Sequence, residues 1–289
     1  MATRSTRPKL VAIVGPTATG KTELAIKLAK QFNGEIIAAD SRTIYKGMDV
    51  GTAKPTKAER KSIPHWGFDL VGPGDLFSAA EFQKYAKAKI KQIQSRGKLP
   101  ILVGGTGLYV DCVIFDFKFR PKADAKLRQK LEKLSVEQLQ ALITEKSYSM
   151  PENLRNRRHL VRTIETAGQI GSRAREPKDR TVIIGLMPPA NVIKHRLQGR
   201  ALQNFDTVVA ETQELVDKYG RATLIRTAGI PYLTALNYLD QKISKTAALE
   251  AITAAEWQYA RRQRTWFKRN PYIKWFNSVE EAFSFFETI

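Results

Sequence analysis

The sequence predicts an α/β protein with a parallel sheet core, a small helical insertion and a helical C-terminal half. In the first half of the chain, short apolar runs alternate with amphipathic helical patterns, which is typical of a parallel sheet covered by helices on both faces. A glycine-rich turn joins the first apolar run to the first helical pattern. From residue 190 to residue 266 helical patterns dominate, with breaks at Gly220 and at 229–231.

Local patterns predict the individual elements of the first half. Apolar runs predict strands at 10–14, 35–39 and 99–103, and helical spacing predicts helices at 22–32 and 79–96. Each predicted helix lies between two strands, so the connections have the length that parallel crossovers need.

A later apolar run at 181–186 predicts that the sheet resumes after an excursion. Within the excursion, five leucines recur at near-helical spacing over 123–168: Leu127, Leu131, Leu134, Leu139 and Leu142. We therefore divide the chain into a first part of the core (1–120), a helical insertion (121–168) and the remainder of the core with its C-terminal helices (169–289).

Composition excludes several classes of protein. The chain has 289 residues, 43% of them hydrophobic, which is enough to bury a core and argues against global disorder. Its single cysteine, Cys112, excludes an internal disulfide framework and a cysteine-based zinc cluster, and it fits a reducing cytoplasm. No apolar run approaches the ~20 residues of a membrane span, and the basic N-terminal segment lacks the apolar stretch of a signal peptide.

The net charge of +20 indicates a polyanionic partner, which is usually a nucleic acid and less often an anionic membrane surface. Arginines are concentrated in two stretches, at 155–162 and at 261–269, and the second is interleaved with tryptophan, tyrosine and phenylalanine. Arginine binds phosphates through its planar fork, and aromatic rings stack on unpaired bases. A solvated basic surface without a partner is the alternative.

The segment 15–22 has the pattern of a phosphate-binding loop, with two glycines separated by four residues and followed by Lys21 and Thr22. An apolar run precedes it and a helical pattern follows it, which is the context that the pattern requires. Successive backbone N–H groups would face a phosphate chain, with the Lys21 ammonium on the outer phosphates and the Thr22 hydroxyl on Mg²⁺. The motif alone specifies neither the phosphate compound nor the reaction.

Two further segments follow predicted strands directly. Asp40 comes after the second strand, and the glycine-rich segment 104–109, with Thr106 as a polar side chain, comes after the third. The carboxyl ends of strands in such sheets face the ligand crevice. From its position Asp40 is a general base, a metal ligand or a helix cap, and the sequence leaves these three roles open.

Several segments, in order along the chain, resemble the tRNA dimethylallyltransferase family. The first three are Gly15-Pro-Thr-Ala-Thr-Gly-Lys-Thr22, the segment 40–55 that begins Asp-Ser-Arg-Thr-Ile-Tyr, and Gly104-Gly-Thr-Gly-Leu-Tyr109. Others are 63–65, 77–82, Arg162-Thr-Ile-Glu165 and Tyr259-Ala-Arg-Arg-Gln-Arg-Thr-Trp-Phe267. The resemblance covers nearly the whole chain.

The resemblance implies a P-loop NTPase-like fold and a prenyl transfer. Such enzymes move the dimethylallyl group of dimethylallyl diphosphate to N6 of the adenosine that follows the anticodon of tRNA, position 37, and release diphosphate. The phosphate loop would then hold the donor's diphosphate, with Mg²⁺. The partners implied are dimethylallyl diphosphate and the anticodon stem-loop of tRNA, for a cytoplasmic protein that is a monomer and does not contact membranes.

The resemblance also implies roles for particular residues. Asp40 matches the catalytic base, Thr106 a residue that contacts the target nucleotide, and Arg226 an arginine near the diphosphate. The diphosphate-binding residues are Gly15, Thr17, Ala18, Thr19, Gly20, Lys21 and Thr22, of which Thr22 also holds the metal. The tRNA-binding residues are Asp40, Ser41, Arg42, Thr43, Thr106, Arg158, Arg162, Arg261, Arg262, Gln263 and Arg264.

The chain departs from the family pattern at several positions that bear on tRNA recognition. Thr43 stands where glutamine is usual, His159 where arginine is common, and Gly-Ile-Pro-Tyr at 229–232 replaces Gly-Tyr-Lys-Glu. Glu256-Trp257 replaces Thr-Arg. The shorter side chain at position 43 is expected to alter contacts with the target base.

Three other functions are consistent with parts of the sequence. A small-molecule kinase would use the same phosphate loop for ATP, and a prenyltransferase acting on free adenine nucleotides would share the first three motifs. The third is an RNA-binding module without activity. The basic charge argues against the first, the two arginine-rich stretches against the second, and intact Lys21, Thr22 and Asp40 against the third.

Overall fold

A six-stranded β-sheet, parallel at every described pairing, is the framework of the protein. The computed structural model describes residues 8–56, 59–60, 63–120 and 124–289. The basic N-terminal segment up to residue 7 and the first residues of the expected insertion, 121–123, lie outside the described residues. The described part of the chain contains no helix long and apolar enough to cross a membrane.

The strands confirm the predicted parallel α/β fold. They are β1 (Leu10–Val14), β2 (Gly34–Ala38), β3 (His65–Trp66), β4 (Leu99–Gly104), β5 (Thr181–Leu186) and β6 (Lys274–Phe276). Their order across the sheet is β3-β2-β4-β1-β5-β6. Each residue of β1 is buried, because β4 and β5 flank it on either side and helices cover both faces. This order brings the carboxyl ends of β1, β2 and β4 together.

The helices occupy most of the remaining chain. They are α1 (Lys21–Gln31), α2 (Ala79–Ser95), α3 (Gly107–Ile114), α4 (Ala125–Leu131), α5 (Val136–Glu145), α6 (Arg157–Glu165), α7 (Ala190–Tyr219), α8 (Arg221–Thr227), α9 (Ile230–Leu239), α10 (Lys245–Phe267) and α11 (Val279–Glu287). The helix α2 begins with a capping box, in which Ser78 and Glu81 satisfy each other's backbone N–H groups. The helix α1 buries Leu24 and Leu28 against the sheet.

The chain forms two units. The larger contains the sheet and consists of the residues up to Ile114 and those of Glu176–Ile289. The smaller, Phe115–Arg175, contains α4, α5 and α6 and includes the expected helical insertion. It has its own apolar core, around Leu139 and Leu160.

A buried carboxylate organises the basic side chains of the smaller unit. Glu165 accepts hydrogen bonds from Arg128 Nε at 2.6 Å and Nη2 at 2.8 Å, and from Arg162 Nη1 at 3.2 Å. Its side chain is fully buried, so the two guanidinium groups compensate a charge that would otherwise be costly to desolvate. Arg162 is thereby part of the internal structure of this unit.

In the larger unit, the helix α7 holds the loop that follows β2. The Glu211 carboxylate accepts hydrogen bonds from three successive backbone N–H groups, those of Asp49 (2.6 Å), Val50 (3.0 Å) and Gly51 (3.0 Å). The hydroxyl of Tyr232, in α9, donates to the same carboxylate at 2.9 Å. One side chain therefore fixes a loop against two helices.

Replacing Glu211 by glutamine is expected to lower the free energy of unfolding by about 2 kcal/mol, because hydrogen bonds to a charged acceptor are replaced by weaker ones. Urea unfolding measures the change. Glu214→Gln is the matched control, since Glu214 lies on the same helix and is exposed. Equal unfolding free energies for the two variants would contradict the role given to Glu211.

Candidate active site

The phosphate loop joins β1 to α1, and its backbone conformation requires glycine at two positions. Gly15 has a φ of 141°, and a Cβ atom there would lie 2.4 Å from the carbonyl oxygen of Leu186 in β5. Gly20 has a φ of 93° and precedes α1 with no side chain capping the helix. The first N–H groups of α1 therefore remain available to an anion.

Lys21 carries the charge of this loop. Its ammonium donates to the carbonyl oxygen of Pro16. Desolvation lowers the pKa of Lys21 to about 8; Asp40 opposes this shift and the nearby Arg200 adds to it. A bound anion would favour the charged form of Lys21, so this loop is suited to a negatively charged ligand.

Two arginines of α7 face the same loop, and sequence reasoning did not single them out. Arg200 Nη2 donates to Thr17 Oγ1 at 3.1 Å and to the Glu256 carboxylate at 2.8 Å. Arg196 Nη1 donates to the carbonyl oxygen of Ala18 at 3.3 Å. Their spacing of four residues indicates that they share one face of a helix. The local sequence does not indicate that this face lies against the phosphate loop.

The phosphate loop opens into a cavity of about 650 Å³ in the larger unit. Residues 17–22 line it together with Arg200 and Glu256. Its apolar lining comes from Ala25, Ile36, Ala38, Phe68, Val103, Ala228, Ile230, Pro231 and Leu233. The cavity thus combines an anion-binding surface with apolar walls, as a ligand with a charged head and a hydrocarbon chain requires.

Asp40 lines the same cavity, directly after β2. Its Oδ1 accepts a hydrogen bond from the backbone N–H of Arg42 at 2.8 Å. The next residue, Ser41, donates its backbone N–H to Thr106 Oγ1 at 3.0 Å. The structure therefore brings the three predicted strand-end segments together, and Asp40 is close enough to Lys21 to affect its pKa.

The helix α10 closes over these loops through Gln263 and Tyr259. Gln263 Oε1 accepts from the Thr17 backbone N–H at 2.8 Å, and its Nε2 donates to the carbonyl oxygen of Gly105 at 3.0 Å. Tyr259 lines the cavity, and burial raises the pKa of its phenol. The family resemblance implies that Gln263 binds tRNA. In the structure its amide is buried, and both the oxygen and the nitrogen are hydrogen-bonded to the protein's own backbone. Tyr259 was recognised only as part of a motif.

The cavity gathers most of the predicted site residues. The diphosphate set from Thr17 to Thr22 lines it, as do Asp40, Ser41, Arg42, Thr43, Arg262 and Gln263. Thr43 is buried, with Oγ1 3.5 Å from the Asp40 carbonyl oxygen. Thr106 is not part of the lining but accepts a hydrogen bond from Ser41, which is. His65 and Phe68, given no role from sequence, also line it.

Other predicted residues lie elsewhere. Arg226 is exposed on α8, with Nη2 3.5 Å from Thr223 Oγ1, and does not line the cavity. Arg261 and Arg264 are exposed on α10, where they border a groove that Trp257 and Trp275 also line. In the smaller unit, Arg158 is exposed and Arg162 is paired with Glu165.

The residues of the cavity suit a divalent metal ion that takes most of its ligands from water and phosphate oxygens. Thr22 lines the cavity and is exposed in the first turn of α1. Among the described residues no group of three or more His, Cys, Asp or Glu could hold a metal. Mg²⁺ commonly keeps water and phosphate oxygens as ligands and takes few from the protein.

Comparisons with known proteins agree with this geometry. The model of the family described as IPP transferase matches residues 43–270. A Macrococcus caseolyticus protein named tRNA dimethylallyltransferase is 37% identical, over 94% of this chain and 91% of its own. A Bacillus anthracis protein of the same name is also 37% identical, over 95% and 92%.

Solved structures show the same fold, P-loop NTPase-like as expected. The tRNA isopentenylpyrophosphate transferase of Bacillus halodurans is 33% identical, with a TM-score of 0.73 over 98% of this chain and 95% of its own. A eukaryotic dimethylallyltransferase acting on tRNA, 23% identical, has a TM-score of 0.78 over 95% of this chain and 75% of its own, and supports the fold alone. On the family match and the identity to its relatives, the chain belongs to the IPP transferase family.

Proposed function

We propose that this protein transfers the dimethylallyl group of dimethylallyl diphosphate to N6 of adenosine 37 in tRNA and releases diphosphate. The observation that carries the proposal is that the phosphate loop and Asp40 line one cavity with apolar walls. The family membership and the names of the relatives support the same reaction. The basic charge of the chain suits a tRNA substrate.

The phosphate loop holds the donor's diphosphate in this proposal. Backbone N–H groups at the start of α1 and the Lys21 ammonium bind its oxygens, and Arg200 adds a further positive charge. Thr22 would hold Mg²⁺ through its hydroxyl, and the ion would supply neutralisation of the charge on the diphosphate leaving group. The dimethylallyl chain lies along the apolar walls, out of reach of water.

The transfer is a substitution at C1 of the donor. The C1–O bond breaks, its electron pair leaves with the diphosphate, and N6 of adenosine forms the new C1–N bond. The proton lost by N6 passes to the Asp40 carboxylate. An exocyclic amine is a weak nucleophile, so a base in contact with it accelerates the reaction. Lys21 and Arg200 stabilise the charge that develops on the leaving group.

The acceptor adenosine has to leave the stacked anticodon loop to reach Asp40. Arg42 and Arg262, both exposed at the cavity, bind neighbouring phosphates. Ser41 and Thr43 border the space for the base, and the short side chain of Thr43 leaves more room than glutamine would. Arg158, Arg261 and Arg264 contribute phosphate contacts elsewhere on the tRNA. The protein acts as a monomer in the cytoplasm.

Incorporation of labelled dimethylallyl diphosphate into unmodified tRNA with Mg²⁺ tests the function. Label at adenosine 37 that is absent with Asp40→Ala is the expected result. Free AMP and ATP serve as alternative substrates in parallel reactions. Transfer to AMP, or hydrolysis of ATP, without label in tRNA would overturn the proposal.

Asp40→Asn is expected to lower the single-turnover transfer rate by a factor of about 10²–10⁴, the usual contribution of general base catalysis. The amide keeps the size of the side chain but cannot take the proton from N6. Equilibrium binding of tRNA to the same variant should change little. A rate close to that of the unmodified protein would rule out Asp40 as the base.

Donor binding is expected to weaken above pH 8. Because the pKa of Lys21 is lowered to about 8, its side chain is charged below this pH and loses its proton, and with it the charge, above this pH. Titration calorimetry with dimethylallyl diphosphate from pH 7 to pH 9.5 should show a constant affinity that then falls by up to about tenfold per pH unit. Lys21→Arg, whose side chain stays charged, should flatten the curve.

Arg261→Gln is expected to weaken tRNA binding and to lower the slope of log affinity against log salt by about 1, the contribution of one phosphate contact. Arg261 is exposed and outside the cavity, so donor binding should not change. Lys30→Gln, at the exposed end of α1, is the control. Identical salt slopes in the two variants would remove Arg261 from the tRNA surface.

A further inference from the structure

An acidic side chain lies among the positive charges beside the phosphate loop. Glu256, in α10, lines the cavity together with Lys21 and Arg200. We propose that Glu256 limits the affinity of this site for diphosphate, because its carboxylate competes with phosphate oxygens for Arg200, and that it thereby reduces inhibition by the diphosphate product. The consequence for product inhibition rests on the proposed function, whereas the effect on affinity can be measured without tRNA.

The contact between Glu256 and Arg200 is a direct ion pair. Arg200 Nη2 donates to Glu256 Oε2 at 2.8 Å, and the two side chains are only 25% and 17% exposed. The same nitrogen donates to Thr17 Oγ1 at 3.1 Å, in the phosphate loop. Because Nη2 carries two hydrogens, these two acceptors occupy it. A phosphate oxygen that binds this nitrogen therefore has to displace Glu256 or Thr17.

The charge of Arg200 acts at the same place as the charge of Lys21. Lys21 belongs to the phosphate loop, and Arg200 contacts that loop through Thr17. Desolvation lowers the pKa of Lys21, and the charge of Arg200 adds to this shift. An anion in the loop is thus attracted by both cations. A carboxylate 2.8 Å from one of them reduces that attraction, since like charges repel across a site that is little exposed to water.

The position of Arg200 does not depend on Glu256 alone. Thr17, which accepts from Arg200, is itself fixed by α10, because its backbone N–H donates to Gln263 Oε1 at 2.8 Å and Gln263 is buried. Loss of the negative charge at Glu256 would therefore leave Arg200 beside the phosphate loop, with more of its charge available to an anion. Glu256 thus affects the strength of anion binding, and Thr17 keeps the geometry.

The carboxylate weakens the binding of the product more than the binding of the donor. Dimethylallyl diphosphate is an ester at one end of its diphosphate, so it has one ionisable oxygen fewer than free diphosphate. Because repulsion grows with the charge of the ligand, the negative charge of Glu256 lowers the affinity for the product more. Both ligands occupy the phosphate loop in the proposed reaction. Glu256 therefore favours the exchange of product for a new donor.

Titration calorimetry with inorganic diphosphate and Mg²⁺, without tRNA, measures the effect on affinity. Glu256→Gln keeps the size of the side chain and an acceptor oxygen for Arg200 but removes the charge. We expect it to bind diphosphate about tenfold more tightly, the effect of one partly buried charge close to the ligand. Glu250→Gln, at an exposed position of the same helix, is the matched control and should leave the affinity unchanged. Equal or weaker binding by Glu256→Gln would overturn the proposal.

Glu256→Thr is a second variant, which removes the charge and also shortens the side chain. Because Thr17 still holds Arg200, diphosphate should again bind more tightly than to the unmodified protein, by about threefold or more. Weaker binding would show that Arg200 needs the carboxylate in order to face the phosphate loop, and competition for Arg200 would then be wrong.

Dimethylallyl diphosphate in the same titration tests the difference between donor and product. Glu256→Gln should tighten donor binding by about threefold, which is less than the gain for inorganic diphosphate. An equal gain for the two ligands would contradict the selection against the product.

The transfer reaction provides the last readout. Glu256→Gln should lower the inhibition constant of added diphosphate by the same factor of about ten, while the single-turnover rate changes less than about twofold. A slower single turnover with unchanged inhibition would overturn the proposal, because Glu256 would then act in the transfer step. Tighter diphosphate binding in a protein that fails to modify tRNA would refute only the proposed function. Unchanged diphosphate binding in a protein that modifies tRNA would refute only the role of Glu256.

Discussion

The convergence of three parallel strand ends is the constraint on which the site depends. Because β1 lies between β4 and β5, and β2 lies beside β4, the segments that leave β1, β2 and β4 meet at one edge of the sheet. They approach so closely that a Cβ atom on Gly104 would lie 2.0 Å from the Ala39 carbonyl oxygen. Because Gly104 has no side chain, the backbones of the segments after β2 and β4 can approach this closely. The phosphate loop and Asp40 can therefore line one cavity.

The cavity has positive charges beside the phosphate loop, from Lys21 and Arg200, and a negative charge at Asp40. Lys21 and Arg200 repel each other beside the phosphate loop, and the repulsion contributes to the lowered pKa of Lys21. Glu256 compensates Arg200 directly at 2.8 Å. An anion bound between the two cations would relieve the repulsion, whereas the carboxylate of Asp40 stays free of any ion pair among the described residues. The site therefore attracts a negative ligand while it keeps a base nearby.

Much of the fold was predictable because its signals are local. The strands at 10–14 and 181–186 match the structure, and the ends of the strands predicted at 35–39 and 99–103 and of the helices predicted at 22–32 and 79–96 differ by at most one residue. The strands β3 and β6 have two and three residues, too few for a pattern. The helix α11 was missed despite its Ser278 cap and Glu281. Arg200 and Tyr259 could not be assigned, because only the tertiary packing of α7 and α10 brings them to the cavity.

The helix α7 is a single rod of 30 residues. It carries Arg200 at the phosphate loop and, about 16 Å further along its axis, Glu211 beneath the cavity wall at Gly51. The phosphate loop and the cavity wall at Gly51 are thus both attached to the same helix. A change in the length or bend of α7 would therefore alter the distance between the phosphate loop and the cavity wall at Gly51.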